Sequence, residues 1–156
     1  MVRIEGASLL KLSDDAITRY LLEADEPEWT ILKSHPNFTE RWVLFYLKRS
    51  RAISRNAIME LYNDRQLRKS YNVNLALLRC RFILPPLAMN MIPNFRWMDL
   101  FNTLRAPTLA GVVRQKIEAR LMQALPRLAL GEKITMARQA PRGLVRRMCK
   151  VAERPV

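Results

Sequence analysis

One histidine, His35, stands in the stretch ILKSHPNFTERWVLFYLKR and is followed directly by Pro36. An imidazole can carry protons or hold a metal, but each task needs a second group beside it. No other histidine exists, neither cysteine is near it in sequence, and the closest acid is Glu40. HPNFTE therefore reads as the connection between two helices, with His35 as a turn residue. Asparagine should replace it with a change in stability under about 0.5 kcal/mol.

The remaining reactive side chains are no better grouped. Cys80 and Cys149 are far apart and form no CxxC or Cys/His cluster, so a zinc site is not expected. Their apolar surroundings, LLRCRFIL and VRRMCKVA, predict two buried free thiols. Asp14, Asp15, Glu23, Asp25, Glu26 and Glu28 crowd one segment but read as helix-terminal charge and an acidic loop. The four glycines are isolated, and Gly131–Lys133 holds one glycine and one lysine, too few for a phosphate cradle. Neither GxSxG nor HExxH occurs. Asp99, between Trp97 and Phe101, is the one carboxylate that a glycosylase-like reading would need, and a helix-terminal acid explains it as well. No catalytic residue, metal ligand or cofactor site is assigned.

Charge is the strongest signal. The net charge is +13, unevenly spread: residues 1–40 hold 4 Lys/Arg against 8 Asp/Glu, and residues 41–156 hold 23 against 6. A basic body attracts polyanions or acidic proteins. Two sets of candidate polyanion-binding residues stand out. One is Arg49, Arg51, Arg55, Arg65, Arg68 and Lys69; the other is Arg142, Arg146, Arg147 and Lys150. In the second set Leu144, Val145, Met148, Cys149 and Ala152 make an apolar stripe, and the basic residues fall largely opposite. A solubilising outer face would look the same.

The elements that must position these groups are helical. Glycine is scarce at 4 of 156 residues, and hydrophobic residues make up 49%. Ser13 is placed to cap a helix carrying Ile17 and Leu21, and Pro27 to open one from Glu28 to Ser34. Thr39 is placed to cap a helix with the stripe Val43, Leu44 and Leu47, flanked by Trp42 and Tyr46. Ser54 caps the next, and Pro85 or Pro86 opens another. Val113, Ile117 and Leu121 then mark a longer helix, and Glu132–Ala140 and Arg142–Glu153 are the last two. About ten short helices result, each needing a neighbour to cover its stripe. Sequential short helices with short breaks favour antiparallel pairs stacked into a solenoid. The breaks at His35, Cys80, Arg105 and Gln139 are similar but spaced 45, 25 and 34 apart, without a fixed period. The most apolar segment, Leu75–Ile92, carries Arg79, Arg81 and Pro85–Pro86, so no membrane span is expected. With no visible signal peptide, the expected compartment is the cytoplasm.

ILKSHPNFTERWVLFYLKR resembles the unit Leu-x-x-Asn-Pro-x-x-Thr-Glu-x-x-Val-Leu of bacterial HEAT-like and leucine-rich-repeat-variant arrays, with His35 in place of Asn. LLRCRFILPPLAMNMI resembles a second such unit, with Cys80 and Arg81 replacing its Asn-Pro, and ALGEKITMARQAP is similar to a segment of an uncharacterised bacterial family of this kind. The resemblance implies an all-α, right-handed superhelical stack of short antiparallel helix pairs. It would form one domain over residues 1–156, with 1–12 a loose leading segment and no polar cap after VAERPV. Its motifs are turn and capping residues, which bear on fold rather than chemistry. The expected function is a non-enzymatic scaffold that binds another protein. The alternative is a nucleic-acid binder using the basic surface, with a DNA-repair glycosylase-like enzyme as its extension.

Overall fold

A computed structural model describes the backbone of residues 6–152 and the side chains of residues 8–150. Among the described residues every regular element is helical. They are α1 (Gly6–Leu9), α2 (Asp14–Glu23), α3 (Trp29–Leu32), α4 (Glu40–Arg49), α5 (Arg55–Asn63), α6 (Tyr71–Arg79), α7 (Pro85–Met91), α8 (Trp97–Thr103), α9 (Gly111–Ala124), α10 (Leu130–Gln139) and α11 (Arg142–Ala152). Short 3-10 turns follow α5, α7 and α9. The chain divides into two compact units, residues 1–84 and 85–156.

In the first unit, serine caps set the helix starts. The hydroxyls of Ser13, Ser54 and Ser70 accept the N–H groups of Ala16, Ala57 and Val73. Each satisfies one of the donors a helix leaves open at its N-terminus. Thr39 departs from expectation: its backbone is extended before α4, but its hydroxyl makes no capping bond. The helix foreseen over Glu28–Ser34 is one α-turn, Trp29–Leu32, prolonged by 3-10-type bonds such as Ser34 N–H to the Ile31 carbonyl. Pro36 limits what can follow it, because the residue before a proline is pushed off helical angles.

Polar ties fix the helix directions. Trp42 Nε1 of α4 donates to Asp14 Oδ1 at the start of α2 (2.6 Å), and the Tyr46 hydroxyl donates to the Asp25 carbonyl beyond the end of α2 (2.6 Å). Ser70, capping α6, donates to Glu40 at the start of α4, while Arg81 past the end of α6 reaches the Arg51 carbonyl past the end of α4. Helices α2, α4 and α6 thus run the same way. Between them, Asn56 donates to Glu26 and Lys33 pairs with Asp64, so α3 and α5 also share a direction, opposite to the first three. Trp42 and Tyr46, expected as flanks of the α4 stripe, lie inside the core with Val43 and Leu47, while Leu44 is half-buried. The polar atoms of these two rings reach partners, so their burial leaves neither the Trp42 indole nor the Tyr46 hydroxyl unpaired.

The second unit centres on α9. Val113, Ile117 and Leu121 are buried, as their four-residue spacing predicts, and Val112 turns outward, 56% exposed. Leu100 and Phe101 from α8, with Leu104 just past its end, supply the facing layer. Trp97 Nε1 donates to Glu132, and Arg105 donates to Gln139, so α8 and α10 run alongside each other in one direction. Arg147 of α11 pairs with Glu118 of α9 at 2.7 Å.

Candidate interaction surfaces

All ten basic residues singled out from the sequence are exposed: Arg49, Arg51, Arg55, Arg65, Arg68, Lys69, Arg142, Arg146, Arg147 and Lys150. The six in the first unit do not form one patch. Arg49, Arg51 and Arg55 surround the α4–α5 turn, and Arg65, Arg68 and Lys69 surround the α5–α6 turn, at the opposite end of α5. A nine-residue helix separates them by about 13 Å of axial rise. Arg68 lies over the Tyr62 ring at 4.6 Å, and Arg147 is occupied by Glu118.

His35 is 7% exposed and sits within the first unit, not on a turn open to solvent. Its Nδ1 accepts the N–H of Asn37, its Nε2 lies 3.2 Å from the Leu12 carbonyl oxygen, and its ring meets Trp42 edge-on. Both ring nitrogens are satisfied by main-chain groups, and among the described residues no carboxylate is bonded to the ring. The expectation that asparagine would serve equally well does not survive this geometry.

Cys80 is buried as expected, and burial pushes its thiol pKa up, against the Phe82 N–H, the Arg81 charge and the Ile83 N–H. A thiol so held is a poor nucleophile. Cys149 corrects the expectation of two buried thiols. It is exposed, because α11 turns Leu144 and Met148 inward and the next residue falls about 100° round the helix. Asp99 sits in the first turn of α8. Trp97 lines a groove of about 200 Å³ with Phe95, Arg120 and Arg127, and Asp99 is not among its walls. Among the described residues no three His, Cys, Asp or Glu side chains converge on a point, and no helix is long and apolar enough to cross a membrane.

One concavity of the second unit was not foreseen. An open groove of about 480 Å³ lies between α10 and α11, walled by Leu125, Pro126, Lys133, Ile134, Ala137, Met148 and Cys149. Only Lys133 carries charge. Ile134 is 43% exposed and Leu130, one turn before it, 74%. Leu130, Ile134 and Ala137 stand at i, i+4 and i+7, one stripe of α10 that is exposed and that no described helix of its own unit covers. Spacing of this kind does not by itself tell an open face from a buried one. Met136, on another side of α10, is the residue that reaches the core.

No protein-family model, no curated protein and no solved structure matches this chain.

Proposed function

We propose that this chain is a non-enzymatic helical-repeat scaffold that binds another protein, its helices stacked in antiparallel pairs as in HEAT-like arrays. The observation that carries the binding role is the uncovered apolar stripe of α10 beside the α10–α11 groove. Soluble chains rarely leave a contiguous apolar face open unless something covers it. The repeat reading is supported by the polar ties, which recur at similar separations. Glu26–Asn56, Glu40–Ser70 and Arg51–Arg81 each join residues 30 apart, and Lys33–Asp64 residues 31 apart. In the second unit Arg105–Gln139 spans 34 and Glu118–Arg147 spans 29.

The test is recovery of a partner. Tagged chain, incubated with nuclease-treated lysate at moderate salt, is expected to retain one protein in stoichiometric amount. Retention of nucleic acid alone, from untreated lysate, overturns the scaffold reading. A second reading, a nucleic-acid binder, is favoured by one feature: Arg65, Arg68 and Lys69 are exposed together around one turn. It requires binding of duplex or single-stranded probes that weakens steeply with salt and with alanine at those three positions.

A further inference from the structure

Resting on that scaffold reading, we propose that the α10–α11 groove receives an amphipathic helix of a partner protein, apolar on the face it inserts and acidic on its flanks. The floor sets the first half of this description. Ile134 and Ala137 line the groove from α10, Leu130 extends their straight apolar line by one turn, and Met148 supplies the opposite wall. The line spans about 10 Å, close to two helical turns. Anchors at i, i+4 and i+7 of a docking helix would match that length.

The rim sets the second half. Residues 125–150 hold seven Lys/Arg against one Asp/Glu. The one acid, Glu132, is already engaged: it accepts the Ala129 N–H at the start of α10 and the Trp97 indole. On α11, Arg142 and Arg146 fall on the same line as Cys149, which walls the groove. Lys133 borders it from α10. An apolar floor between basic edges complements an apolar stripe between acidic edges.

The same charge argues against other occupants. Two copies joined groove to groove would bring like-charged rims together. The acidic helix of this chain, α2, has its apolar residues Ile17 and Leu21 fully buried in its own unit and has no free stripe to offer. A nucleic acid would match the rim but not the floor.

Cys149 gives a local readout, since it is exposed in the groove wall while Cys80 is buried. The probe is a synthetic helical peptide of roughly fifteen residues, with leucines at i, i+4 and i+7 and glutamates beside them. It is expected to slow maleimide alkylation of Cys149. A scrambled peptide of identical composition, and one with lysine for glutamate, should leave the rate unchanged. Ile134→Glu and Leu130→Glu replace exposed side chains, so their melts should match the parent while peptide affinity drops about tenfold or more. Equal protection by the scrambled peptide, by anionic vesicles, or by raising the protein concentration alone overturns the proposal. In the lysate experiment, an Ile134→Glu bait that keeps the partner refutes the groove and leaves the scaffold reading standing. Failure of both baits to retain any protein refutes both.

Discussion

The Nε2 of His35 lies 3.2 Å from the carbonyl oxygen of Leu12, in the segment that leads into α2. Because Nδ1 accepts the Asn37 N–H, the neutral ring carries its proton on Nε2 and donates it to that carbonyl. The histidine therefore joins the approach to α2 with the approach to α4, and Trp42, packed against its ring, extends the link to Asp14. It is a structural clamp rather than a spacer.

His35→Asn should accordingly cost about 1–3 kcal/mol, the range for leaving a buried polar group unpaired. Asparagine is shorter and cannot place donor and acceptor on both main-chain groups at once. Urea unfolding of the two proteins measures the difference. A shift under about 0.5 kcal/mol would return His35 to the class of neutral surface positions.

Tyr46 predicts the alkaline limit of stability. Its ring is fully buried, and its hydroxyl donates to the Asp25 carbonyl, which also accepts the Ser54 N–H. Burial pushes its phenol pKa well above the ordinary value of 10.0, with Cys80, Asp25, Glu26 and Tyr20 adding in the same direction. The folded state then holds a proton that the unfolded state releases. This contribution is present in full below about pH 10 and is lost as pH rises further. Ultraviolet titration should show fewer tyrosines ionising near pH 10 in the native chain than in urea. Tyr46→Phe should flatten the alkaline fall while lowering neutral-pH stability by about 1 kcal/mol.

Asp64 works at the acid end. Burial pushes its carboxyl up, but the Lys33 ammonium and the N–H groups of Leu67 and Gln66 outweigh it and hold the pKa below 3.8. A depressed carboxylate stabilises the fold above its unfolded pKa, and that stabilisation is lost as pH falls through the folded one. Asp64→Asn keeps an oxygen for the two N–H groups and removes only the charge. Its deficit should be at most about 1 kcal/mol at neutral pH and should shrink as pH drops below about 4. A deficit that does not change with pH would assign the cost to the turn and not to the ion pair.

Helix existence was readable from the sequence because it rests on local rules. Proline placement gave the α7 start, serine the α2 and α5 starts, and four-residue spacing the buried row Val113, Ile117 and Leu121. Depth was less readable. Trp42 and Tyr46 look like flanking residues until the acceptors Asp14 and Asp25 come within reach, and those lie 28 and 21 residues away. The burial of His35 was not readable for the same reason, its partner Leu12 being 23 residues off. The separation of the polar ties was hidden too, because the three that span 30 residues join unlike pairs: Glu26–Asn56, Glu40–Ser70 and Arg51–Arg81. A stripe such as Leu130, Ile134 and Ala137 carries no local sign of whether another helix covers it.

The helix caps give the last prediction, a graded series within one unit. Ser54 accepts the Ala57 N–H at 3.0 Å, so Ser54→Ala should cost about 1 kcal/mol. Ser70 does more: it caps α6 through Val73 and donates to Glu40 Oε1 at 2.7 Å, tying the start of α6 to that of α4. Ser70→Ala should therefore cost more than Ser54→Ala, by about 1.5 kcal/mol, the low end for a hydrogen bond to a charged acceptor because the pair is only part-buried. Thr39→Ala should stay within about 0.5 kcal/mol, since the threonine makes no capping bond. A double-mutant cycle between Ser70→Ala and Glu40→Ala isolates the inter-helix part. Additive losses would mean that Ser70 acts only on its own helix. Thr39→Ala costing as much as Ser54→Ala would mean that the Thr39 hydroxyl turns to cap α4 in solution.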